Sequence, residues 1–471
     1  MDNSPHLGLI GLGTMGAALA LNIAENGYPI AVYNRTPAVT DAFIAGAGDL
    51  AVRLTPAKTL QDFVAAITPP RSIILMVPAG PVVDDQIAAL RPLLGPGDLI
   101  IDAGNANYTD TERRSRETAK DAFDFMGIGV SGGEDGARHG PSIMAGGDAA
   151  QWDRVGSILE TISAKYQGEA CAALMGPGGA GHFVKMVHNG IEYADMEMIA
   201  ETYALMRDGM GFDASQVAQT FETWDKGTLA SYLIEISGKV ARAVDPITGA
   251  PMLDVILDKA GQKGTGRWTV IEAQQLAVAI PVIEAAVTAR NLSARLADRK
   301  KGAEVFGAMP QPLPEGLLDT DTLERALIAG KILCYAQGFE MLARASAEFD
   351  WNLPMSTIAK IWRNGCIIRS EMLNDMASAL SAHPGESLIF AEPFTGLLRE
   401  NEAALRKTVI AATGAGIAVP ALAAGLSWFD TMRSPRGSAN MIQAQRDFFG
   451  AHGFERLDGK DAPHGPWGAH G

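Results

Sequence analysis

The chain has 471 residues, of which 47% are hydrophobic, 20% are charged and 7% are aromatic. This length predicts more than one hydrophobic core, and this composition excludes a disordered chain, a collagen and a coiled coil. With 39 Lys and Arg against 54 Asp and Glu, the net charge is −15. Such an acidic surface argues against nucleic-acid binding, so an anionic ligand requires a local cluster of basic residues.

The cysteines and the hydropathy of the chain indicate the cell compartment and whether the chain crosses a membrane. The three cysteines are scattered and form no Cys-x-x-Cys pair, which argues against a disulfide framework. The sequence shows neither a signal-peptide pattern at its start nor an uninterrupted apolar stretch of about 20 residues. We therefore expect a cytoplasmic protein with no membrane span.

Residues 1–178 alternate short β-prone runs with longer helical patterns. Apolar runs of this kind suit strands that are buried on both faces of a parallel sheet. The alternation predicts an α/β domain with a Rossmann-like, doubly wound sheet. The β-prone runs are residues 6–10, 30–33, 72–77 and 98–102.

From residue 179 the pattern changes to long helical periodicity, which predicts a large all-α domain over residues 179–440. Two segments of this region, WDKG at 224–227 and WRNG at 362–365, stand 138 residues apart. This spacing is consistent with a duplicated helical unit and also with chance. Residues 441–471 are rich in Gly, His and Pro, and such a tail is either frayed or docked on another surface.

A glycine-rich motif, GLGTMG, follows the first β-prone run and opens a helical segment. In that context the glycines permit a tight turn and let a pyrophosphate approach the backbone N–H groups of a helix N-terminus. The motif therefore predicts a dinucleotide site rather than an ordinary glycine-rich turn. Its residues are Gly11, Leu12, Gly13, Thr14, Met15 and Gly16.

The end of the second β-prone run bears on the choice of cofactor. NAD enzymes usually place Asp or Glu here, where it binds the ribose 2′-hydroxyl. This chain has Asn34, Arg35 and Thr36, and a guanidinium after a neutral side chain suits a 2′-phosphate. We therefore expect NADP rather than NAD; the alternative is a solvated arginine at a strand end.

Two further polar segments follow apolar runs in this domain. Asn105 ends the segment IDAGN, and the carboxyl ends of strands face the ligand crevice in doubly wound sheets. The segment SGGEDG begins with Ser131, Gly132 and Gly133, which can present a hydroxyl and backbone N–H groups to a carboxylate or polyol. Each segment alone is as consistent with a structural turn as with a binding site.

The most informative segment is GHFVKMVHNGIEY, residues 181–193. As a helix it places Lys185, His188, Asn189 and Glu192 at positions i, i+3, i+4 and i+7, on one stripe. The alternative is a solvated face, but the flanking faces are apolar, and solvated stripes carry Glu and Lys more often than His and Asn. We therefore predict a buried functional stripe of an amine, an imidazole, an amide and a carboxylate.

A basic, glycine-rich loop, AGQKGTGR, contains Lys263 and Thr265. It lacks the spacing of a P-loop but suits the binding of a terminal phosphate; the alternative is a flexible surface loop. Arg290 and Arg446 are further candidate anion contacts, although each alone is more often a surface charge. The eight histidines are dispersed and form no HExxH motif, so the sequence predicts no metal site.

Together these segments resemble the decarboxylating 6-phosphogluconate dehydrogenases. The resemblance implies oxidation of 6-phospho-D-gluconate by NADP, giving D-ribulose 5-phosphate, CO2 and NADPH, as in the pentose phosphate pathway. It implies that Lys185 is the general base and then an acid, that Glu192 is the acid that protonates C1 of the enediol, and that no metal takes part. The matching stretches, in order, are GLGTMG, YNRT, IDAGN, SGGEDGAR, GHFVKMVHNGIEY, AGQKGTGRW and IQAQRDFFGAH.

The same resemblance implies contacts for individual residues. Arg446 and His452 match residues that family members donate from the neighbouring subunit, which implies a homodimer whose tail completes the partner's active site. The substrate contacts that it implies within one chain are Asn105, Ser131, Gly132, Gly133, His188, Asn189, Tyr193, Lys263, Thr265 and Arg290. The cofactor contacts that it implies are Gly11, Leu12, Gly13, Thr14, Met15, Gly16, Asn34, Arg35, Thr36, Val77, Pro78, Ala79 and Asn105.

Two departures and two alternatives accompany this resemblance. Pro78 stands where many members have Lys, and Val39 stands where a basic residue is common, so both changes weaken the expectation of a strict NADP preference.

One alternative is a β-hydroxyacid dehydrogenase, which shares the glycine motif and a helix-borne lysine but predicts a shorter chain. The other is an inactive NADP-binding sensor, which predicts loss of Lys185 or Glu192; both residues are present.

Overall fold

The computed structural model describes residues 4–467, so residues 1–3 and the last four residues of the predicted tail, 468–471, lie outside the described part. An eight-stranded sheet forms the N-terminal part of the protein, and a separate two-stranded hairpin, β8 with β9, stands beside it. The strands are β1 (Leu7–Ile10), β2 (Ile30–Tyr33), β3 (Leu54–Ala57), β4 (Ser72–Leu75), β5 (Leu99–Asp102), β6 (Asp124–Val130), β7 (Ile143–Gly146), β8 (Lys165–Tyr166), β9 (Glu169–Ala170) and β10 (Ala172–Gly176).

The strand order of the large sheet is β10-β7-β6-β5-β4-β1-β2-β3. Its neighbouring strands run parallel except β6 and β7, which are antiparallel. Ile74 and Ile101 join one hydrophobic cluster, whereas Ile73 and Ile100 join the cluster on the opposite face. The apolar runs are therefore buried on both faces, as parallel strands usually are, and the predicted Rossmann-like α/β fold is confirmed.

Helices connect the strands of this sheet. Two of them begin with Pro37 and Pro81, a position where proline loses nothing because the first N–H groups of a helix have no intrahelical partner. The helices of this part are α1 (Thr14–Glu25), α2 (Pro37–Gly46), α3 (Leu60–Ala65), α4 (Pro81–Leu90), α5 (Tyr108–Thr118), α6 (Gly133–His139) and α7 (Ala149–Ile162).

After β10 the described chain is helical, as the sequence predicts. Its two longest helices, α8 and α15, pack against each other, and most of their residues are buried. The helices are α8 (Ala180–Ala204), α9 (Ala214–Trp224), α10 (Tyr232–Arg242), α11 (Met252–Val255), α12 (Thr265–Gln275), α13 (Pro281–Ser293), α14 (Leu296–Phe306), α15 (Thr320–Glu348), α16 (Met355–Ile361), α17 (Met372–Ala382), α18 (Phe394–Ala415), α19 (Pro420–Met432) and α20 (Ala439–Gly450).

Helix α15 is long and apolar enough to cross a membrane, by length and composition alone. However, 89% of its most apolar window is buried inside the protein. A helix at the centre of a helical core has the same composition, because every one of its faces packs against other elements.

The helical region contains an internal repeat. Helices α8, α10 and α13 recur as α15, α17 and α19, each about 140 residues later and in the same order. Proline begins both α13 and α19, and these two helices pack against each other. The loops that precede α10 and α17 also meet, because Ser231 and Ser370 form an antiparallel bridge. The helix spacing therefore favours a duplicated unit over chance, with a slightly longer offset than the two WxxG segments predict.

Glycines let helix α8 approach the sheet closely. A Cβ on Gly129 of β6 would collide with the Cβ of Lys185, and a Cβ on Gly127 would lie 2.6 Å from the His182 ring. Where α8 passes β7, a Cβ on Gly146 would lie 2.6 Å from the Gly181 nitrogen. Real Cβ atoms do not approach neighbours so closely, so any larger residue at these positions must push the helix away from the strands.

We predict that Gly129→Ala destabilises the protein by about 1–3 kcal/mol, because the added methyl group overpacks the contact between β6 and Lys185. Thermal or urea unfolding measures the loss. Gly46→Ala is the matched control, since a Cβ there meets nothing within 4 Å. Equal stability of the two variants would show that the close approach of α8 is not needed.

Candidate active site

A cleft of about 1150 Å³ lies between the sheet domain and the helical region. Its walls are the turns that follow β1, β4, β5 and β6, one face of α8, and the loop that leads into α12. Most of the site residues predicted from the sequence thus meet in one place. Those that line the cleft are Gly13, Thr14, Met15, Gly16, Val77, Pro78, Ala79, Asn105, Ser131, Gly132, Gly133, Lys185, Asn189, Glu192, Tyr193, Lys263, Thr265 and Arg290.

Lys185 is a buried amine at the centre of this cleft. The residue is only 6% exposed, and its Nζ donates a hydrogen bond to the Ser131 hydroxyl at 2.9 Å. Burial lowers the pKa of Lys185, because the ammonium form loses its hydration; the nearby Glu192 carboxylate opposes this shift. The neutral amine is therefore present at a lower pH than in an ordinary lysine, as a general base requires.

His188 is wholly buried behind Lys185 and links three polar groups. Asn189 donates to the Thr265 hydroxyl at 3.0 Å, so its carbonyl oxygen faces His188 Nδ1, also at 3.0 Å. With the proton on Nδ1, the imidazole Nε2 accepts from the Ser131 hydroxyl at 3.3 Å. Burial and Lys185 hold the pKa of His188 well below its usual range, so the ring is neutral and orders the network without adding charge.

Glu192 lies two helical turns after Lys185 and is partly buried. One of its carboxylate oxygens is 3.9 Å from His188 Nδ1. Burial raises the pKa of Glu192, and the positive charges of Lys185 and Arg290 oppose that shift. One stripe of α8 thus carries a side chain that tends to lose its proton and another that tends to keep it. This is the arrangement of a general base and a general acid.

The turn after β6 closes the cleft opposite α8. Gly132 and Gly133 have φ values of 104° and 64°, which residues with a side chain rarely adopt. A Cβ on Gly132 would also lie 2.6 Å from the carbonyl oxygen of Gly365, in the loop after α16. This packing holds Ser131 and its hydroxyl against Lys185 and exposes the following backbone to the cleft.

Two basic side chains lie on the α12 side of the cleft. The guanidinium of Arg290 stacks 3.5 Å above the Tyr193 ring and donates to the carbonyl oxygen of Gly261. Lys263 is exposed in the same loop, and Thr265 begins α12 after Gly264, which has a φ of 104°. Lys263 and Arg290 form the local basic cluster that an anionic ligand requires in so acidic a protein.

The turn between β1 and α1 is shaped for close approach by a ligand. A Cβ on Gly11 would collide with the carbonyl oxygen of Met76, and a Cβ on Gly16 would collide with that of Gly11. A Cβ on Gly13, by contrast, would meet nothing within 4 Å. Gly13 is also the N-cap of α1, and it has no side chain that could accept hydrogen bonds from the first turn. The first N–H groups of the helix are therefore available to bind a pyrophosphate. These residues fit a dinucleotide.

Asn34 supports this turn from behind. Its Oδ1 accepts from the Leu12 N–H at 3.2 Å, and its Nδ2 donates to the Thr36 carbonyl at 3.3 Å. The backbone N–H of Gly11 donates to the Tyr33 carbonyl at 2.9 Å. Arg35 is exposed beside this anchored turn. The side chain that the sequence associates with a 2′-phosphate therefore stands on a fixed backbone.

Arg446 and His452 do not line the cleft of their own chain. Arg446 is exposed on α20 and donates to Gln443, while the His452 ring lies against Phe449. Their contribution to a partner's site stays a prediction. Within residues 4–467, no three His, Cys, Asp or Glu side chains are grouped so that they could hold a metal ion, and metal independence likewise stays a prediction.

Sequence reasoning missed several cleft residues. Gly104, Gln262 and Trp268 lie inside the motifs IDAGN and AGQKGTGRW, beside residues that the sequence predicts to bind a ligand. These motifs therefore contain the signal that could have identified them. Ile367 lies in no such motif. It lines the cleft in the loop where Gly365 packs against Gly132, a contact between distant parts of the chain. The remaining residues missed in the cleft are Met76, Gly80, Asn107, Asp110, Val130 and Gly261.

Two family models match the chain. The NAD binding domain of 6-phosphogluconate dehydrogenase matches residues 6–176. The C-terminal domain of 6-phosphogluconate dehydrogenase matches residues 181–467. The chain belongs to the 6-phosphogluconate dehydrogenase family. Because both models fit in order and cover nearly the whole chain, this assignment favours the resemblance over the shorter β-hydroxyacid dehydrogenases.

Characterised relatives extend over the same length. The decarboxylating 6-phosphogluconate dehydrogenase of Synechococcus elongatus is 46% identical over 98% of this chain and 99% of that protein. The NAD(+)-dependent and NADP(+)-dependent decarboxylating enzymes of Bacillus subtilis are 45% and 43% identical, each over 98% of this chain and 99% of the relative. The solved structure of Plasmodium falciparum 6-phosphogluconate dehydrogenase matches with a TM-score of 0.94 at 38% identity, covering 98% of this chain and 100% of that one.

Proposed function

We propose that this protein oxidises 6-phospho-D-gluconate with NADP and decarboxylates the product, giving D-ribulose 5-phosphate, CO2 and NADPH. The observation that carries the proposal is that α8 places a buried amine, Lys185, and a carboxylate two turns later, Glu192, in one cleft; the opposite pKa shifts of the two groups agree with it. The family assignment supports it, as does the match to the Plasmodium falciparum structure, which is described in complex with NADP+ and with 6-phosphogluconate.

The first step oxidises C3 of the substrate. A bound nicotinamide would supply the acceptor for the hydride that leaves C3. Lys185 takes the proton of the C3 hydroxyl, so the O–H and C–H bonds break and a C3 ketone forms. Lys185 is then an ammonium and donates a hydrogen bond to the new carbonyl oxygen, where negative charge develops in the next step.

The second step removes the carboxylate. The C3 carbonyl is β to C1, so the C1–C2 bond breaks, CO2 leaves, and the C3 oxygen takes the proton from Lys185 to give an enediol. Glu192 protonates the carbon that carried the carboxylate while Lys185 accepts the enediol hydroxyl proton, which yields the ketose. A proton that passes from Lys185 to Glu192 restores both groups. The ammonium polarises the carbonyl while CO2 leaves, so we propose that no metal takes part.

The activity is tested by absorbance at the reduced-nicotinamide band, with purified protein, 6-phosphogluconate and either NADP or NAD. We expect NADP reduction that depends on the substrate and is insensitive to a chelator such as EDTA. Loss of activity with chelator, restored by a divalent cation, would contradict the metal-free mechanism. Cofactor binding without any reduction would contradict the enzyme and favour the inactive sensor.

We expect substitutions of two cleft lysines to change different kinetic constants. We predict that Lys185→Ala lowers kcat by on the order of 10²–10⁴-fold, because the proton transfer loses its base. Lys263→Ala is the comparison, since it removes a positive charge that we assign to substrate binding; its KM for 6-phosphogluconate should rise while kcat stays close to wild type. Steady-state kinetics decides, and a near-wild-type kcat in Lys185→Ala would refute the assigned base.

We propose that Arg35 binds the 2′-phosphate of NADP and so distinguishes NADP from NAD. Relatives of similar identity use NAD in one case and NADP in another, so overall similarity does not decide the preference. We predict that Arg35→Ala raises KM for NADP by about tenfold to a hundredfold, the effect of losing one charge-assisted hydrogen bond, and leaves KM for NAD nearly unchanged. Equal increases for both cofactors would assign the phosphate to another group.

We also propose a homodimer in which the C-terminal tail docks on the partner. On α20, Phe448 is 52% exposed and Phe449 is 72% exposed, and such apolar exposure is typical of a surface that another chain covers. Arg446→Ala should then raise KM for 6-phosphogluconate without changing the dimer mass measured by light scattering. A monomeric wild-type protein with full activity would contradict this arrangement.

A further inference from the structure

Besides the catalytic pair, helix α8 carries a second buried histidine that contacts the sheet domain. His182 is 1% exposed and precedes Lys185 by three residues, so the two side chains lie on the same face of α8. Its Nε2 is 3.1 Å from the carbonyl oxygen of Gly104, and its Nδ1 is 2.7 Å from the Thr111 hydroxyl. Both partners belong to the sheet domain.

These two partners fix the state of the His182 ring. A carbonyl oxygen only accepts hydrogen bonds, so Nε2 carries the proton and donates to Gly104. Nδ1 is then an acceptor for a hydrogen bond from the Thr111 hydroxyl at 2.7 Å, which is shorter than the 3.3 Å from that hydroxyl to the Asn107 carbonyl oxygen. Burial lowers the pKa of His182, which agrees with a neutral ring. The ring is therefore held at both ends in one orientation and one tautomer.

Gly104 lies in the turn after β5, immediately before Asn105 in the cleft. Its N–H donates to the Asp102 carboxylate at 3.1 Å, and that carboxylate in turn accepts from the buried Arg114 at 3.4 Å. The peptide groups of Gly104 are thus held on one side by the sheet domain and on the other by α8. The direction in which Asn105 enters the cleft depends on both.

We propose that His182 is a positioning residue for the reaction. It fixes the distance between the turn that presents Asn105 and the helix that presents Lys185, and it does so without touching substrate or cofactor. This inference rests on the proposed function, since it assumes that Asn105 and Lys185 act on one bound substrate. The glycine at position 127 leaves the space that the ring occupies, because a Cβ there would lie 2.6 Å from His182 Nδ1.

The test compares His182→Leu with His182→Gln. Leucine fills the space but donates nothing, whereas the Nε2 of glutamine can still donate to Gly104. We expect His182→Leu to lower kcat on the order of 10²-fold, as a displacement of about 1 Å at a reacting centre does. His182→Gln should recover most of that loss. Rates are expressed per folded site, counted by NADPH titration, so that a loss of stability does not count as a loss of catalysis.

Thr111→Val provides a second variant that keeps the fold if His182→Leu does not. It removes the hydroxyl that holds His182 Nδ1, and we expect kcat to fall several-fold, about the effect of one lost neutral hydrogen bond. Thr40→Val is its matched control, because Thr40 is equally buried but its hydroxyl has no hydrogen-bond partner among the described residues. Thr40→Val should have the kcat of the wild type.

Each outcome decides the inference. If His182→Leu and His182→Gln lower the thermal midpoint equally and leave kcat per folded site unchanged, His182 is structural only and the proposal is overturned. If Thr111→Val and Thr40→Val have the same kcat, the hydrogen bond at Nδ1 does not help to position the ring, and the proposal is overturned at that contact. A wild-type protein that does not reduce NADP with 6-phosphogluconate would instead refute the proposed function, before any variant is compared.

Discussion

The site depends on the close packing of one helix against strands that lack side chains at the contact. Gly127 and Gly129 of β6 and Gly146 of β7 leave room for the backbone and first side-chain atoms of α8. This contact packs the Cβ and Cγ atoms of Lys185 against β6, and burial of Lys185 is the cause of its lowered pKa. It also sets the height of α8 above the turns that carry Ser131 and Asn105. A helix held further away would carry the same residues as an ordinary solvated stripe.

The internal repeat shows what this scaffold needs and what the chemistry adds. Helix α15 begins 140 residues after α8, so His188, Asn189 and Glu192 correspond to Ile328, Ala329 and Ile332, which are apolar and buried. The corresponding part of α8 carries His188, Asn189 and Glu192. Buried polar groups cost stability unless they are hydrogen-bonded or paired, and α15 has apolar side chains at these three positions, although it buries Lys331 elsewhere, 3.0 Å from Asp195 of α8. The helical unit itself therefore does not need an imidazole, an amide and a carboxylate at these positions.

The sequence predicted local features better than contacts between distant segments. The glycine motif, the segments after β4, β5 and β6 and the polar stripe of α8 all depend on spacing within a few residues, and residues of each line one cleft, whereas Asn34, Arg35 and Thr36 after β2 do not line it. The loop that contains Gly365 and Ile367 and the bond between His182 and Gly104 were not predicted. These join residues that lie far apart in the chain, and their proximity follows from how the two domains pack. The two WxxG segments showed the repeat, but not that the second one leads into the loop that closes the cleft.

One environment produces both protonation states that the proposed reaction needs. Burial disfavours charge, so it lowers the pKa of an amine and raises the pKa of a carboxylic acid. Lys185 and Glu192 attract each other when charged, and that attraction opposes both shifts, but burial is the larger cause for each group. In water the same pair would stand as ammonium and carboxylate, with no free base and no available acid. Within the cleft both groups move toward their neutral forms, so the amine can take a proton from a hydroxyl and the acid can give one to carbon.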